Sequence, residues 1–278
     1  MLDKEIVTKI ESFVYSKPRS VQEIAEYIGK NWRTADRYID EIEKNFGTLS
    51  TRVFREGTRG ALKIVYFASI EKASGTIFQE NLEKEILTLK RKEDFSAFDI
   101  FQLVPEKNKK AEKEKAIDEN HTNLNSLKEI LESAEKQVLF FSGNLSFINL
   151  KNKNFSMLNT IENLIKEKIQ IKIIARVDFT AKESLEKLLA LNFKYGKEAI
   201  EIHHKDQPVR AMIIDNKIIR LKEQKEPTGK INELDDKMYI FYTIKDKEWA
   251  EWLSKIFWKI FSFSIDSKKR LEELNKIK

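Results

Sequence analysis

The sequence predicts a multidomain α/β protein, and three observations carry that prediction. The first seventy residues place three amphipathic helical patterns ahead of two β-rich runs. From residue 138 onward, apolar strand patterns alternate with helical ones, as in chains that cover a mixed sheet with helices. The length of 278 residues suits about two domains of ~100–200 residues each.

The N-terminal elements follow from local signals. Ile6, Ile10, Phe13 and Val14 stand at helical spacing, and a turn over residues 16–20 follows. Ser20 with Glu23 three residues on makes a capping box for a short helix that buries Val21, Ile24, Ala25 and Ile28 and stops at Gly29. Asn31 caps a third helix, whose Ala35, Ile39, Ile42 and Phe46 keep one face inward until Gly47. The β-rich runs 49–54 and 62–67 flank a hairpin tip, residues 55–60, where Gly57 and Gly60 are free to take positive φ. Three helices followed by a two-stranded wing predict a winged helix-turn-helix over residues 1–70.

Residues 71–117 read as a helical linker. Helical patterns over 74–104 and 118–136 are separated by a solvated charge run, 105–115. Phe78, Leu82, Ile86 and Leu89 form a stripe that suits either a dimer seam or a helix docked on a domain. The third unit, 118–278, carries strand patterns at 138–141, 171–177, 199–203, 209–214, 218–221 and 238–244. Helices near 157–167 and 181–191 lie between them, and a long aromatic helix starts at about Asp246. Trp249, Trp252, Phe257, Trp258, Phe261 and Phe263 are too many for one buried face, so core plus a subunit contact is expected there.

Composition narrows the chemistry. Charged residues make up 35% of the chain against a usual ~25%, while Gly (8) and Pro (4) are scarce, which excludes collagen-like, Gly/Pro-rich disordered and many-turned β-sandwich chains. Cysteine is absent, which removes disulfides, thiolate metal sites and a Cys nucleophile. Three histidines leave little for a His-rich metal centre, and neither a metal nor a cofactor is expected. No run approaches the ~18–20 apolar residues of a membrane span, and the N-terminal stretch lacks a signal peptide's apolar segment, so a cytoplasmic protein away from membranes is expected. The net charge of +6 divides into +2, −3 and +7 over residues 1–70, 71–136 and 137–278, so any nucleic-acid footprint must be local.

Double-stranded DNA is the expected partner. In a helix-turn-helix the start of the second helix of the motif enters the major groove. Here that start carries Asn31, Trp32, Arg33, Thr34 and Arg37, with Arg33 and Arg37 on one face. Arginine bonds guanine O6 and N7 in a bidentate way, and Thr and Asn reach phosphates or base edges. Asp40, Glu41 and Glu43 on the later turns would repel DNA, which confines the footprint to the first two turns. Arg55, Thr58 and Arg59 on the wing tip would add phosphate or minor-groove contacts. Winged helices also serve as protein-interaction modules, and Trp32 fits either a DNA contact or a helix-start packing role.

Four stretches carry a family resemblance: Val138 to Leu145, residues 171–177, Pro208 to Asp215, and the strand with its aromatic helix from Met238 to Phe261. In this order, behind a winged helix and a helical linker, they make the chain resemble the TrmB-like archaeal transcriptional regulators with a phospholipase D-like α/β sandwich. Active phospholipase D-like enzymes use His-x-Lys-x-x-x-x-Asp. Aligned on Asp215, the histidine position holds Pro208 and the lysine position Arg210. Proline neither attacks phosphorus nor shuttles a proton, so the resemblance implies a degenerate domain and a protein that is not an enzyme. His203-His204-Lys205 offers another His-x-Lys, but its Asp position is Arg210, and alternation puts the two histidines on opposite faces.

What the resemblance leaves in place is anion recognition. Ser142, Gly143, Asn144, Arg176, Arg210 and Asp215 are the candidate effector-binding residues, for a small anionic or sugar-like ligand. An alternative is that Arg210 pairs with Asp215 or another acid, and the domain only dimerises or scaffolds. The expected function is a homodimeric, sequence-specific transcriptional regulator. The alternatives are a phospholipase D-superfamily nuclease or phosphodiesterase with an atypical active site, and an architectural DNA-binding protein.

Overall fold

The computed structural model describes residues 4–45, 48–55, 61–67, 75–115, 124–153, 155–227 and 236–276. Helices α1 (Lys4–Ser16), α2 (Val21–Tyr27) and α3 (Trp32–Asn45) precede a hairpin of β2 (Leu49–Arg55) and β3 (Ala61–Phe67). The two residues Arg19–Ser20 form β1, which adds to β3 and gives a three-stranded sheet in the order β1-β3-β2. The capping box forms as the sequence requires. The Ser20 hydroxyl accepts from the Glu23 amide at 3.2 Å, and the Glu23 carboxylate accepts from the Ser20 amide at 2.7 Å. Val7, Ile10, Ile24, Ala35, Ile39, Ile42 and Leu49 meet in one apolar cluster beneath these helices.

The rest of the chain builds a large mixed sheet with helices on both faces. In chain order it comprises α4 (Gly75–Thr88), α5 (Ala97–Leu103), β4 (Lys109–Lys115), α6 (Leu124–Glu132), β5 (Gln137–Phe141), α7 (Met157–Lys166), β6 (Gln170–Ala175), α8 (Lys182–Tyr195), β7 (Ile200–His204), β8 (Ala211–Ile214), β9 (Ile218–Lys225), β10 (Met238–Ile244), α9 (Lys247–Ser262), β11 (Ile265–Asp266) and α10 (Ser267–Lys276). The strand order is β11-β7-β6-β5-β8-β9-β10-β4. β5, β6 and β7 run parallel through the connecting helices α7 and α8, and the other neighbours pair antiparallel.

Strand alternation divides the core in two. Val138, Phe140, Ile171, Ile173, Ile200 and Ile202 pack beneath α6, α7 and α8. Leu139, Phe141, Ile174, Ile213, Ile219, Ile240 and Tyr242 pack on the opposite face against α9, α4 and α5. Phe54, Leu62 and Ile64 of the N-terminal hairpin enter this second cluster, where Phe54 packs against Phe98 and Tyr242, and Phe98, Phe101 and Tyr242 pack against one another. Arg52 adds a bidentate contact to Glu106 at 2.8 and 3.1 Å, and together with Lys109 it holds the Glu106 carboxyl down at about 2.

Residues 75–115 therefore do more than connect. Leu82 and Ile86 of the expected seam stripe lie in the chain's own core beside α9, so that face is already filled. The charge run expected to be solvated contains β4, which pairs with all seven residues of β10. The Lys109 side chain is only 3% exposed, with Nζ 4.9 Å from the Phe101 ring centroid and 3.0 Å from Glu106. Of the α9 aromatics, Trp249, Phe257 and Phe261 are buried in the core and Trp252 and Trp258 pack against it, which leaves Phe263 exposed.

A polar cluster lies where the N-terminal helices meet the sheet. Lys225 stands 3.1 Å from Glu223 and 3.7 Å from Glu23, and Glu223 also accepts from Tyr242 and Ser96. Burial, reinforced by the charges of Glu223 and Glu85, pushes the Asp99 carboxyl well above its ordinary range. A raised folded pKa means that Asp99 supports folding fully only below its unfolded value, roughly pH 4, and the support is lost as pH rises through the folded value. Asp99→Asn is expected to raise the thermal midpoint at pH 7, with the gain vanishing towards pH 4 in parallel melts.

The β8–β9 turn depends on Asp215, at φ 51°. Its carboxylate accepts from the backbone N–H groups of Glu135, Lys136 and Gln137 at 2.7, 2.9 and 2.8 Å, which ties the turn to the start of β5. Asp215→Ala strands those donors and should cost about 1–3 kcal/mol in urea denaturation, while Asp215→Asn should recover part of the loss.

Candidate nucleic-acid interface and ligand cavity

α3 begins at an Asn31 cap, whose Oδ1 accepts from the Thr34 amide at 2.9 Å. Ala35, Ile39 and Ile42 bury one side of the helix, which turns Arg33 and Arg37 outward; both are exposed, and among the described residues neither joins an ion pair. Arg37 rests its guanidinium 5.4 Å from the Tyr38 ring centroid. Trp32 is partly buried and packs against the helical core.

Three of the four acids of the same helix, Asp36, Asp40 and Glu43, are bonded within the protein. Lys63 on β3 bonds both Asp36 and Asp40, the former at 2.9 Å, and Glu43 accepts from the Thr51 amide and hydroxyl at 3.1 and 3.0 Å. Burial pulls the Lys63 ammonium down, but the bonds to Asp36 and Asp40 outweigh it and raise the pKa above the ordinary lysine value. Asp36 and Asp40 are thus held by a cation and Glu43 by β2. Arg55 is the last residue of β2, and Thr58 and Arg59 lie outside the described residues.

A second site opens at the carboxyl ends of β5 and β6. A cavity of about 650 Å³ takes in Ser142, Gly143 and Asn144 after β5, Arg176 after β6, and Pro208 and Arg210 before β8. Five of the six candidate anion-binding residues thus converge, and Asp215 does not. It sits at the other end of β8, holding the β5 backbone, so it neither lines the cavity nor pairs with Arg210.

The loop after β5 is shaped by its own side chains. The Ser142 hydroxyl accepts from the Leu145 amide at 3.2 Å, the Asn144 side chain from the Ser146 amide at 3.3 Å, and Leu145 takes φ 63°. Gly143 lets Arg210 lie flat on the loop, since a Cβ there would stand 3.1 Å from both Nε and Nη2. Arg210 Nη1 donates to the carbonyls of Gln207 and Val209 at 3.1 and 2.8 Å. Among the described residues, Nε and Nη2 have no acceptor and no acid lies within ion-pair distance. Burial, with Arg176 nearby, brings the guanidinium down to about 10. It remains charged at neutral pH, beside Arg176, which pairs with Asp178 at 2.8 Å.

Neither histidine reaches this cavity. His203 stacks on Phe261 with centroids 3.8 Å apart and places Nδ1 2.8 Å from the Phe261 carbonyl. His204 Nδ1 accepts from the Val177 amide at 2.9 Å, and burial lowers its pKa. The far wall went unforeseen: Arg220 and Lys222 of β9 and Tyr239 and Phe241 of β10 also line the space. Extending the β9 alternation past Leu221 would have put Arg220 and Lys222 on one face. Among the described residues, no His/Cys/Asp/Glu cluster suits a metal ion, and no helix is long and apolar enough to cross a membrane.

No family model and no curated protein sequence matches the chain. Solved structures do. A phospholipase D family member, Nuc from Salmonella typhimurium, matches at 8% identity and TM-score 0.41, over 57% of this chain and 97% of that one. TrmBL2, an archaeal chromatin protein described as showing a novel mode of DNA binding, matches at 13% and 0.41, over 95% and 94%. Phosphatidylserine synthase from Haemophilus influenzae matches at 9% and 0.40, over 81% and 63%. The expectation that the chain is not an enzyme does not stand, since the structures it is similar to include a phospholipase D family member and a phosphatidylserine synthase; Pro208 removes a histidine at one position and no more. The fold is mixed α/β with a large mixed sheet, similar to phospholipase D-like structures and to TrmBL2.

Proposed function

We propose that this chain is a homodimeric, sequence-specific DNA-binding transcriptional regulator of the TrmB-like type, acting in the cytoplasm. Residues 1–70 act as a winged helix that lays the start of α3 in the major groove. The α/β body pairs two copies and holds a small anionic effector at Ser142, Gly143, Asn144, Arg176 and Arg210. The observation that carries this reading is the division of charge on α3. Arg33 and Arg37 project outward, while Asp36 and Asp40 are bonded to Lys63 and Glu43 to Thr51. A helix that ties down these acids and leaves two arginines and a capping asparagine at one end suits a polyanion approaching that end.

Dimerisation supplies two such helix starts, to read half-sites about one helical turn apart or a multiple of it. An effector acts only by favouring one arrangement of the pair over another. A second reading, phosphodiester cleavage in the cavity, is favoured by the Arg210 guanidinium, whose Nε and Nη2 have no acceptor among the described residues. Turnover of bis(p-nitrophenyl) phosphate that is lost in Arg210→Ala would support it, and turnover unchanged in that variant would count against it.

For the DNA reading, Arg33→Ala and Arg37→Ala should each weaken specific binding by ~1–3 kcal/mol in fluorescence anisotropy. Affinity should also fall steeply with salt, as phosphate contacts release counterions. Unchanged affinity in the double variant would remove α3 from the interface, and salt-independent binding would point to a protein partner.

A further inference from the structure

Most charges on the cavity wall are already engaged within the protein. Glu93 has Lys92 at 3.9 Å, Glu226 has Lys237 at 3.5 Å, Glu223 has Lys225 at 3.1 Å, and Arg176 has Asp178 at 2.8 Å. Arg220 bonds Glu112, Ser126 and Thr243 at 3.1–3.5 Å, and the Lys222 ammonium lies 3.6 Å from the Tyr239 ring centroid. Lys90 and Arg91 are exposed to solvent.

Arg210 differs from all of these. It is half-buried, and Nη1 is committed to the carbonyls of Gln207 and Val209, which fixes the plane of the guanidinium. Nε and Nη2 share another edge and have no acceptor among the described residues. Gly143 stands beside that edge, where a Cβ would lie 3.1 Å from each of the two nitrogens. The glycine therefore keeps a side chain out of the space next to both donors.

Beyond the guanidinium the surface turns apolar. The Lys222 amide donates to the Arg210 carbonyl at 2.8 Å, which continues the β8–β9 ladder and puts Met212 on the same face as Arg210. Met212 pairs with Phe140 of β5, and Phe147 stacks on Phe140 with centroids 4.8 Å apart. Phe147, Leu150 and Met212 are half-buried, and with Phe140 and Met157 they line the cavity.

We propose that this cavity binds a carboxylic acid with an aromatic body, its carboxylate on Nε and Nη2 of Arg210 and its ring against Met212 and Phe147. The inference rests on the effector reading of the cavity and not on DNA binding. One guanidinium edge offers two parallel N–H donors and one charge, which match the two oxygens and the one charge of a carboxylate. A phosphate monoester carries about −1.5 to −2 at neutral pH and brings a second charge, whereas the other cations of the wall are engaged or exposed. At about 650 Å³ the space falls in the range of small-molecule sites, and a bare carboxylate such as acetate leaves most of it unfilled.

Isothermal titration of the full chain with benzoate, phenylacetate, indole-3-acetate, acetate, phenylacetamide and phenyl phosphate tests the assignment. At least one aromatic carboxylate should bind about tenfold or more tighter than acetate, neutral phenylacetamide or phenyl phosphate. Arg210→Lys keeps the charge without the paired donors, and Gly143→Ala sets a methyl group against them. Each should lower that affinity about tenfold or more while the chain keeps a cooperative thermal melt. Undiminished affinity in either variant, or aromatic carboxylates binding no better than acetate, would overturn the proposal. Tighter binding of phenyl phosphate would overturn the carboxylate assignment and leave the anion site standing, whereas binding of none of these anions would overturn the effector reading as well.

Discussion

The structure depends on β10 being buried on both sides. All seven residues from Met238 to Ile244 are buried, and neighbours pair along both edges of the strand. On one face, Ile240, Tyr242 and Ile244 hold the core that reaches from α9 to the N-terminal hairpin. On the other, Tyr239 and Phe241 form the back wall of the cavity. One strand thus supports both the unit that presents α3 and the site proposed for a ligand. Tyr242 is fully buried among Phe54, Phe98 and Phe101, and its hydroxyl reaches Glu223, so the apolar and polar joints between the two parts meet at one side chain.

That arrangement gives a physical route between the two sites. Glu93 lines the cavity, and its carbonyl accepts from Lys17 Nζ at 2.6 Å, in the turn between α1 and α2. Lys225, on the strand that supplies Lys222, stands between Glu223 of the sheet and Glu23 of α2. A ligand that moves β9 or the segment around Glu93 acts on groups already bonded to the helices in front of α3. Coupling of this kind needs two arrangements of those bonds, with the ligand preferring one.

Much of this was legible in the residues, where local signals suffice. The Ser20–Glu23 box, the start of α9 at about Asp246 and the apolar runs of β5, β6 and β10 read directly, because capping and alternation act over a few residues. What escaped depends on distant partners. β4, Lys-Lys-Ala-Glu-Lys-Glu-Lys, has one apolar residue and becomes a strand only because β10 presents a full ladder to it. α10 offers only Leu271 and Leu274 to the core, too few for a periodic signal. The end of β9 reads as a polar loop until Glu223 and Lys225 are seen in the buried junction with α2, which is why Lys222 was missed. Asp215 was assigned to the anion site by motif position, whereas three backbone donors 78–80 residues away decide its role.

The central claim is that the start of α3 reads DNA sequence as part of a paired molecule. Selection of bound duplexes from a random pool by the full chain tests it most directly. The account predicts enrichment of a two-part motif with half-sites about one helical turn apart or a multiple of it, lost when Arg33 and Arg37 are both alanine. A pool that enriches no motif, or the same motif from the double variant, would contradict it.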